Sequence, residues 1–419
     1  MSTKFKDLKK VLIVTSAQPT ANPRMKKEAI SLNEAGYYVT VLYTPISPWA
    51  DTFDDNLFKL QNNIRWIQVG FHAKKQPILY QLALFRQRFY KVVYYLGGDI
   101  NGAALKSLVL FSQELRRKAK RIKADLYIGH NLGSFPAIVS ASKKFKSPCI
   151  YDFEDFHRGE GQENLLHFRK VISIENCYVK YLSAAISSSP LIEIAYQNLF
   201  PNLPFQTVLN CFSQDLKNYK NNLIPDLPLK LFWFSQTIGK NRGIEEVIIA
   251  MGRLKDCQIE LTLLGNILED QKNEFINLAI NNRINSTSLI FLPTVSEYEL
   301  VLISSQHHIG LATEVSNIIN RDICLTNKLF IYLLAGNAII YSNTKAQSLF
   351  MHELEVGLLY NQNNIESIVD CLHFYYLNPD ILSLHSSNAT KIANSKYNWN
   401  NEFTKLNSFI SNIILKHQA

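Results

Sequence analysis

"KVLIVTSAQPTANPRMKKEAISLNEAGYYVTVLY", Lys10 to Tyr43, decides the fold class. Its opening "KVLIVTS" is a short unbroken apolar run, as expected of a parallel strand buried on both faces. The loop "AQPTANPR" follows. "MKKEAISLNEAG" then carries apolar residues at helical spacing and stops at Gly36. "YYVTVLYT" is the next strand.

The same unit recurs down the chain. "ADLYIGHN" and "PCIYDFED" read as apolar strands ending in polar residues, with a helical "LGSFPAIVSASKKF" between them. "AAISSSP" and "QTVLNCF" read as further strands. A loop with Asn221, Asn222, Pro225 and Pro228 breaks the pattern and marks a change of domain. The alternation restarts with "LKLFWFSQ", "GIEEVIIAMGRL", "IELTLLGN" and "EDQKNEFINLAINN". It continues through "LIFLPT", "SEYELVLISS", "HIGLAT", "NKLFIYLLAG" and "NAIIYSN". Strands alternating with helices in both halves predict an α/β protein with two mostly parallel sheets. A chain of 419 residues also exceeds what one hydrophobic core usually serves. In open α/β sheets ligands sit at the carboxyl ends of strands, so two facing sheets predict a cleft lined by the residues just past each strand.

Bulk properties narrow the function. No apolar run reaches the length of a membrane span. The apolar run Val11–Val14 is too short for a signal peptide. Six cysteines stand far apart with no metal-ligand spacing, so buried thiols and a cytoplasmic location are expected. Residues 1–210 hold 28 Lys and Arg against 16 Asp and Glu, whereas the second half is slightly acidic. A one-sided basic field suits an anionic partner or, equally, a well-solvated surface.

Five stretches past predicted strand ends carry chemistry. "SQTIGKNRG", Ser235 to Gly243, offers glycines for a tight turn, helix amides for an anion such as a diphosphate, and the Arg242 fork. It is neither a dinucleotide fingerprint nor a Walker loop, and the bland alternative is a tight turn with a surface arginine. "TNKLFIYLLAG" begins with Thr326 or Asn327 as a cap. Lys328 then sits where a helix dipole disfavours a cation, a conflict that a bound phosphate, or simple solvation, would relieve. "GHN" puts His130 and Asn131 at a strand end, where a histidine either meets substrate near neutral pH or plays a structural part. "YDFEDFHRGEG" crowds Asp152, Glu154, Asp155, His157 and Glu160 together, so basic groups, sugar hydroxyls or a metal should satisfy them, with no spacing diagnostic of a metal. "QPTANPR" offers Asn22 and Arg24 to a polar or anionic group. Separately, "ILYQLALFRQRFYKVVYYL", Ile78 to Leu96, mixes aliphatic and aromatic residues with Arg86, Arg88 and Lys91. Such a helix either covers a sheet or lies in a membrane interface.

Taken in order along nearly the whole chain, these motifs resemble the GT-B glycosyltransferases, specifically the retaining family 4 that includes bacterial lipopolysaccharide and capsule transferases. "ADLYIGHN" looks like that family's strand bearing the active-site histidine, which maps to His130. "YDFEDFHRGE" is similar to its Y-D-x-H-E segment, with Glu154 where histidine is usual. "FSQTIGKNRGIEEVI" is similar to its glycine-rich donor loop, with Arg242 on the phosphate-binding lysine. "LTNKLFIYLLAGNAIIYSN" looks like its N-K-L-F helix. The family's paired glutamates are absent: Ile323 and Ile331 stand in their places, and Glu314, after "GLAT", could substitute for one of them in space.

The resemblance implies an N-terminal Rossmann-like acceptor domain over residues 1–205, a donor domain over 206–396, and a terminal helix, about 397–417, crossing back. It implies transfer of a sugar from a nucleotide-sugar to a glycan or lipid-linked acceptor with retention, without metal or cofactor, in surface polysaccharide synthesis at the inner face of the plasma membrane. Nucleic acid is not an expected partner. His130, Asn131, Glu154 and Asp155 would be catalytic. Ser235, Gln236, Gly239, Arg242, Gly243, Glu314, Asn327, Lys328 and Leu329 would bind donor. Asn22, Arg24 and His157 would meet acceptor. Loss of the glutamate pair motivates a second reading, a non-catalytic scaffold of the same fold. A nucleotide-sugar epimerase of similar shape is a more distant third.

Overall fold

The computed structural model describes residues 8–161, 164–216 and 227–418. The chain divides into two compact units, Met1–Val208 with Phe403–Ala419, and Leu209–Glu402. Asn221, Asn222 and Pro225 of the expected boundary loop lie outside the described residues.

The first unit runs β1 (Lys10–Thr15), α1 (Pro23–Glu34), β2 (Tyr38–Tyr43), α2 (Asp51–Leu60), β3 (Arg65–Gln68), α3 (Pro77–Gly97), α4 (Ala103–Leu108), α5 (Ser112–Ala119), β4 (Leu126–His130), α6 (Phe135–Phe145), β5 (Cys149–Phe153), α7 (Leu165–Tyr178), β6 (Ala184–Ser187), α8 (Pro190–Leu199) and β7 (Phe205–Thr207). Its seven strands lie in the order β3-β2-β1-β4-β5-β6-β7, all parallel. The apolar runs of β1, β4 and β5 are buried throughout apart from Lys10 at the start of β1, because helices cover both faces of such a sheet.

The second unit runs β8 (Leu229–Thr237), α9 (Ile244–Arg253), β9 (Ile259–Asn266), α10 (Glu269–Asn281), β10 (Leu289–Leu292), α11 (Glu297–Ser304), β11 (Ile309–Ala312), α12 (Ile319–Ile323), α13 (Asn327–Ala335), β12 (Ala338–Ser342), α14 (Lys345–Met351), β13 (Gly357–Tyr360), α15 (Ile365–Leu377) and α16 (Pro379–Ser395). Its six strands are again parallel, in the order β10-β9-β8-β11-β12-β13. The last helix, α17 (Trp399–Gln418), starts in this unit and from Phe403 belongs to the first. There Tyr37 donates to Asn407 at 2.9 Å, and His417 lies 3.0 Å from the Lys146 carbonyl.

Each sheet has one place where successive connections turn to opposite sides. In the first it lies between β1 and β4, in the second between β8 and β11. The loops leaving those strand ends splay apart and leave a crevice, the usual ligand position of an open α/β sheet.

Two details differ from the sequence reading. "QTVLNCF" holds only the end of a short strand, β7, because pairing with β6 stops at Thr207. The thiols are all free, but only Cys149, Cys211 and Cys371 are buried; Cys257 and Cys324 are half-buried, and Cys177 is exposed on α7.

Candidate functional site

The first cluster forms at the switch point of the first sheet. Asn22 caps α1 by accepting the Met25 amide at 3.0 Å, and Pro23 follows at the first helical position. Starting the helix there brings Arg24 and Glu28 onto its sheet-facing side. Both are buried. The Arg24 guanidinium grips Asp152 of β5 through Nε at 2.6 Å and Nη2 at 3.1 Å, and Nη1 donates to the Val208 carbonyl at 2.8 Å. Arg24 is therefore already committed, and its expected role of meeting an acceptor gives way to one of holding β5 against α1. Buried charge of this kind persists only when fully paired.

His130, at the end of β4, is wholly buried. Its Nδ1 lies 2.8 Å from Glu154 Oε1, and its Nε2 lies 3.2 Å from Glu28 Oε2, in ionic range but off the axis of a linear hydrogen bond. Burial disfavours the charged ring, but the Glu28 charge and the Glu154 hydrogen bond override it and push the pKa up to about 10. Of the two readings the sequence left open, the geometry shows the hydrogen-bonded one: His130 is buried between Glu28 and Glu154, and both carboxylates favour its charged form. Burial pushes the Glu154 carboxyl up, but the His130 hydrogen bond and charge outweigh it, and the net shift is downward. Asn22 Nδ2 also donates to Glu154 Oε1, at 2.9 Å. Asp152 is shifted up by burial, with Arg24 opposing.

Glu28 was not singled out by sequence, since one glutamate inside an amphipathic helix carries no signal of its own. The ligand atoms of Glu28, His130 and Asp152 lie within 4.8 Å of one another. Asp152 of this trio is already taken by the Arg24 guanidinium.

Around this buried base sit the groups that reach solvent. Glu154 keeps 23% of its side chain exposed, and Asp155 is half-buried. Asn131 has φ 61° and ψ 152°, a conformation costly for any residue but glycine, at about 1–3 kcal/mol. The Thr15 hydroxyl donates to its side chain at 2.8 Å, and its carbonyl accepts the Ser134 amide at 3.0 Å. His157 bonds Tyr151 Oη at 3.1 Å and Glu160 at 3.3 Å. Burial opposes its charge, but the Glu160 hydrogen bond and charge raise its pKa to about 9.

A pH dependence follows from these two rings. A histidine whose folded pKa lies above its ordinary 6.5 stabilises fully below that value, and the contribution disappears as pH rises through the folded pKa. The thermal midpoint is expected to fall steadily between about pH 7 and 10. A His157→Gln variant, scanned from about pH 6 upward, should lose the part of that slope lying between about pH 6.5 and 9. A flat profile in the unmodified protein would contradict the paired-imidazolium description.

The second cluster forms at the switch point of the second sheet. β8 bulges at Ser235 and Gln236, before its last residue, Thr237. Gly243 begins α9 at φ 77°, where a Cβ would stand 2.6 Å from that of Thr313. Thr313 clamps the turn by donating to the Arg242 carbonyl at 2.9 Å. Arg242 Nη1 donates to Ser235 Oγ at 2.7 Å and has no carboxylate partner among the described residues. Gln236 is exposed and Gly239 has open space on its Cβ side. Two carboxylates, Glu245 and Glu246, occupy the first turn of α9, and Glu245 accepts the Asn241 amide at 3.1 Å. They occupy the helix end that the sequence reading left open to a diphosphate, and Lys240 in the same turn is paired with Glu274. Arg321 of α12, which sequence did not flag, reaches the Asn241 carbonyl at 3.5 Å.

α13 is apolar nearly all round and buried from Lys328 to Ala335. Tyr332 lies over Gly310, where a Cβ would clash at 2.2 Å, and its hydroxyl reaches the Phe232 carbonyl at 3.1 Å. Thr326 is the cap by position, but its hydroxyl makes no capping bond. Asn327 is exposed and accepts from Asn210 at 2.7 Å. The expected Lys328 conflict has an internal answer. Lys328 Nζ donates to Glu314 Oε1 at 2.6 Å and lies 4.9 Å from the Trp233 ring. The ammonium is buried and neutralised, so it does not wait for a phosphate. Leu329 contributes its side chain to the core, and its amide donates to the Thr326 carbonyl. Ile323 at the end of α12 and Ile331 in α13 are both buried, and Glu314 reaches α13 through Lys328. Glu314→Gln is expected to cost about 1–3 kcal/mol in urea unfolding, because it strands the Lys328 charge.

No protein-family model matches the chain, and no curated protein matches it. Solved structures do. The fold is that of the GT-B glycosyltransferases. Sucrose-phosphate synthase from Thermosynechococcus elongatus superposes with a TM-score of 0.71 at 11% identity, covering 97% of this chain and 100% of that one. HepE of Anabaena, in complex with UDP, gives 0.70 at 13% identity over 97% and 100%. WaaG, a glycosyltransferase involved in lipopolysaccharide biosynthesis, gives 0.61 at 12% identity over 94% and 98%.

Proposed function

We propose that the protein is a glycosyltransferase that takes a sugar from a nucleotide-sugar and passes it to a glycan or lipid-linked acceptor. The observation that carries this reading is Arg242, a guanidinium held by Ser235 at the switch point of the second sheet and without a carboxylate partner among the described residues. It stands on a fold shared end to end with glycosyltransferases, and solved HepE structures hold UDP or UDP-glucose. A UDP-sugar is thus the first donor to try.

In this reading Arg242 and the amides at the start of α13 stabilise the leaving diphosphate as charge builds on it. Asn131, Glu154 and Asp155 meet the sugar hydroxyls, and His157 the acceptor. Arg24 and His130 keep them in place from beneath. Retention of configuration, the family 4 assignment, the absence of a metal or cofactor, a role in polysaccharide synthesis and a place at the inner membrane face belong to this proposal. The second reading, a non-catalytic scaffold, draws on the buried Ile323 and Ile331 and on the neutralised Lys328.

A thermal-shift screen with UDP-, GDP-, ADP- and CMP-sugars separates the two. A rise in midpoint with one of them, followed by turnover of that donor, is the expected result. No shift with any donor would leave only the scaffold reading.

A further inference from the structure

α3 is a 21-residue helix that the structure leaves half uncovered. Ile78, Leu82, Phe85, Phe89, Val92 and Leu96 are 76, 60, 70, 57, 56 and 78% exposed. At helical periodicity these six fall within a stripe about 80° wide and about 27 Å long. The inward face is the other one: Ala83 and Tyr94 are buried, and Gln87 donates to the Leu108 carbonyl. The choice that sequence left open is thereby decided in one respect, since the apolar stripe points away from the protein. Single exposed apolar residues are common, but a continuous stripe of six large ones calls for an occupant.

Charge selects it. From Phe71 to Gly98 the chain holds five Lys and Arg and no Asp or Glu. Arg86 is taken by Glu114, at 2.6 and 3.0 Å. Lys74, Lys75, Arg88 and Lys91 are exposed and form no ion pair among the described residues. Arg88 lies just past one edge of the stripe, Lys91 lies further round the same side, and Lys74 and Lys75 precede its start. An apolar face bordered by unpaired cations matches the boundary between acyl chains and anionic headgroups. No helix among the described residues is long and apolar enough to cross a membrane, so contact is with the surface.

We infer that α3 lies in the surface of an anionic membrane, with Ile78, Leu82, Phe85, Phe89, Val92 and Leu96 inserted and Arg88, Lys91, Lys74 and Lys75 at the headgroups. This deepens the proposed function, since it brings a lipid-linked acceptor to the enzyme, but it does not depend on catalysis.

The test is flotation of the full chain with vesicles of phosphatidylcholine, alone or mixed with phosphatidylglycerol. The protein should float with the anionic vesicles and be released by salt. Arg88→Gln with Lys91→Gln should weaken binding about tenfold or more. Phe85→Glu with Phe89→Glu should abolish it with no loss of thermal midpoint, because neither ring is in the core. A Phe85→Trp variant should show a blue-shifted emission only with anionic vesicles. Failure of the unmodified protein to float overturns the inference. So does light scattering that shows a dimer dissolved by the Phe85→Glu, Phe89→Glu pair while flotation persists. Donor-induced thermal shifts in the same variants report separately on the proposed function, and a failure there leaves the membrane result standing.

Discussion

Replacing Arg24 with alanine should lower the stability of the first unit by roughly 3–5 kcal/mol. The argument rests on what is left behind. Asp152 would keep its buried place in β5 but lose both charge-assisted hydrogen bonds, and the Val208 carbonyl would lose a donor. The uncompensated carboxylate is the main cost, and truncation of the arginine stem adds a smaller one. Two companion measurements isolate the pair. Asp152→Asn in the Arg24→Ala background should recover a large part of the loss, so the double change costs less than the sum of the single ones. The deficit should also shrink as pH falls. Asp152 is already shifted up by burial, and without Arg24 it rises further. A carboxyl with a folded pKa above its unfolded value binds its proton preferentially in the folded state, so acid favours folding across that window. Urea titrations of the three variants at two pH values provide the check. An Arg24→Ala midpoint equal to that of the unmodified protein would remove Arg24 from the structural role assigned to it.

Arg242→Ala should weaken the binding of a UDP-sugar by about 10–100-fold, the effect of losing hydrogen bonds to a charged group in a partly buried site. The unliganded protein should hardly change, since the one side-chain bond lost is to Ser235. That contrast separates a ligand contact from a structural one. Arg242→Lys should recover only part of the affinity, because an ammonium keeps the charge but not the fork. Calorimetric titration with the donor found by thermal shift measures both. Unchanged affinity in the alanine variant would place the diphosphate elsewhere, with Arg321 the next group to test.

Much of the fold was legible along the chain. Continuous apolar runs such as Val11–Val14 and Leu126–Ile128 announce parallel strands because a sheet covered on both faces tolerates few polar residues. Glycine at position 336 ends α13 in the left-handed conformation that its lack of a Cβ permits. The placement of the polar residues relative to the strands was legible too: Asn22, His130, Glu154, Arg242 and Glu314 all lie at or past strand ends, near the two switch points. Sequence was weaker where pairing is long-range. It extended β7 through Phe212, because apolar character alone cannot show where a neighbouring strand stops.

Which of these groups is free, and which is taken, was not legible at all. Sequence determined that the chain is α/β, that it carries two such layers, and that its candidate polar groups follow strand ends, because these follow from local periodicity and from chain direction. Only the tertiary structure decided that Arg24 belongs to Asp152, His130 to Glu28 and Glu154, and Lys328 to Glu314. Those partners lie 128, 102, 24 and 14 residues apart in sequence, and Coulomb attraction depends on distance in space and on burial, neither of which is written in local order. The same holds for α3. Its composition suggested an amphipathic helix, and only the packing of its neighbours showed which face they cover.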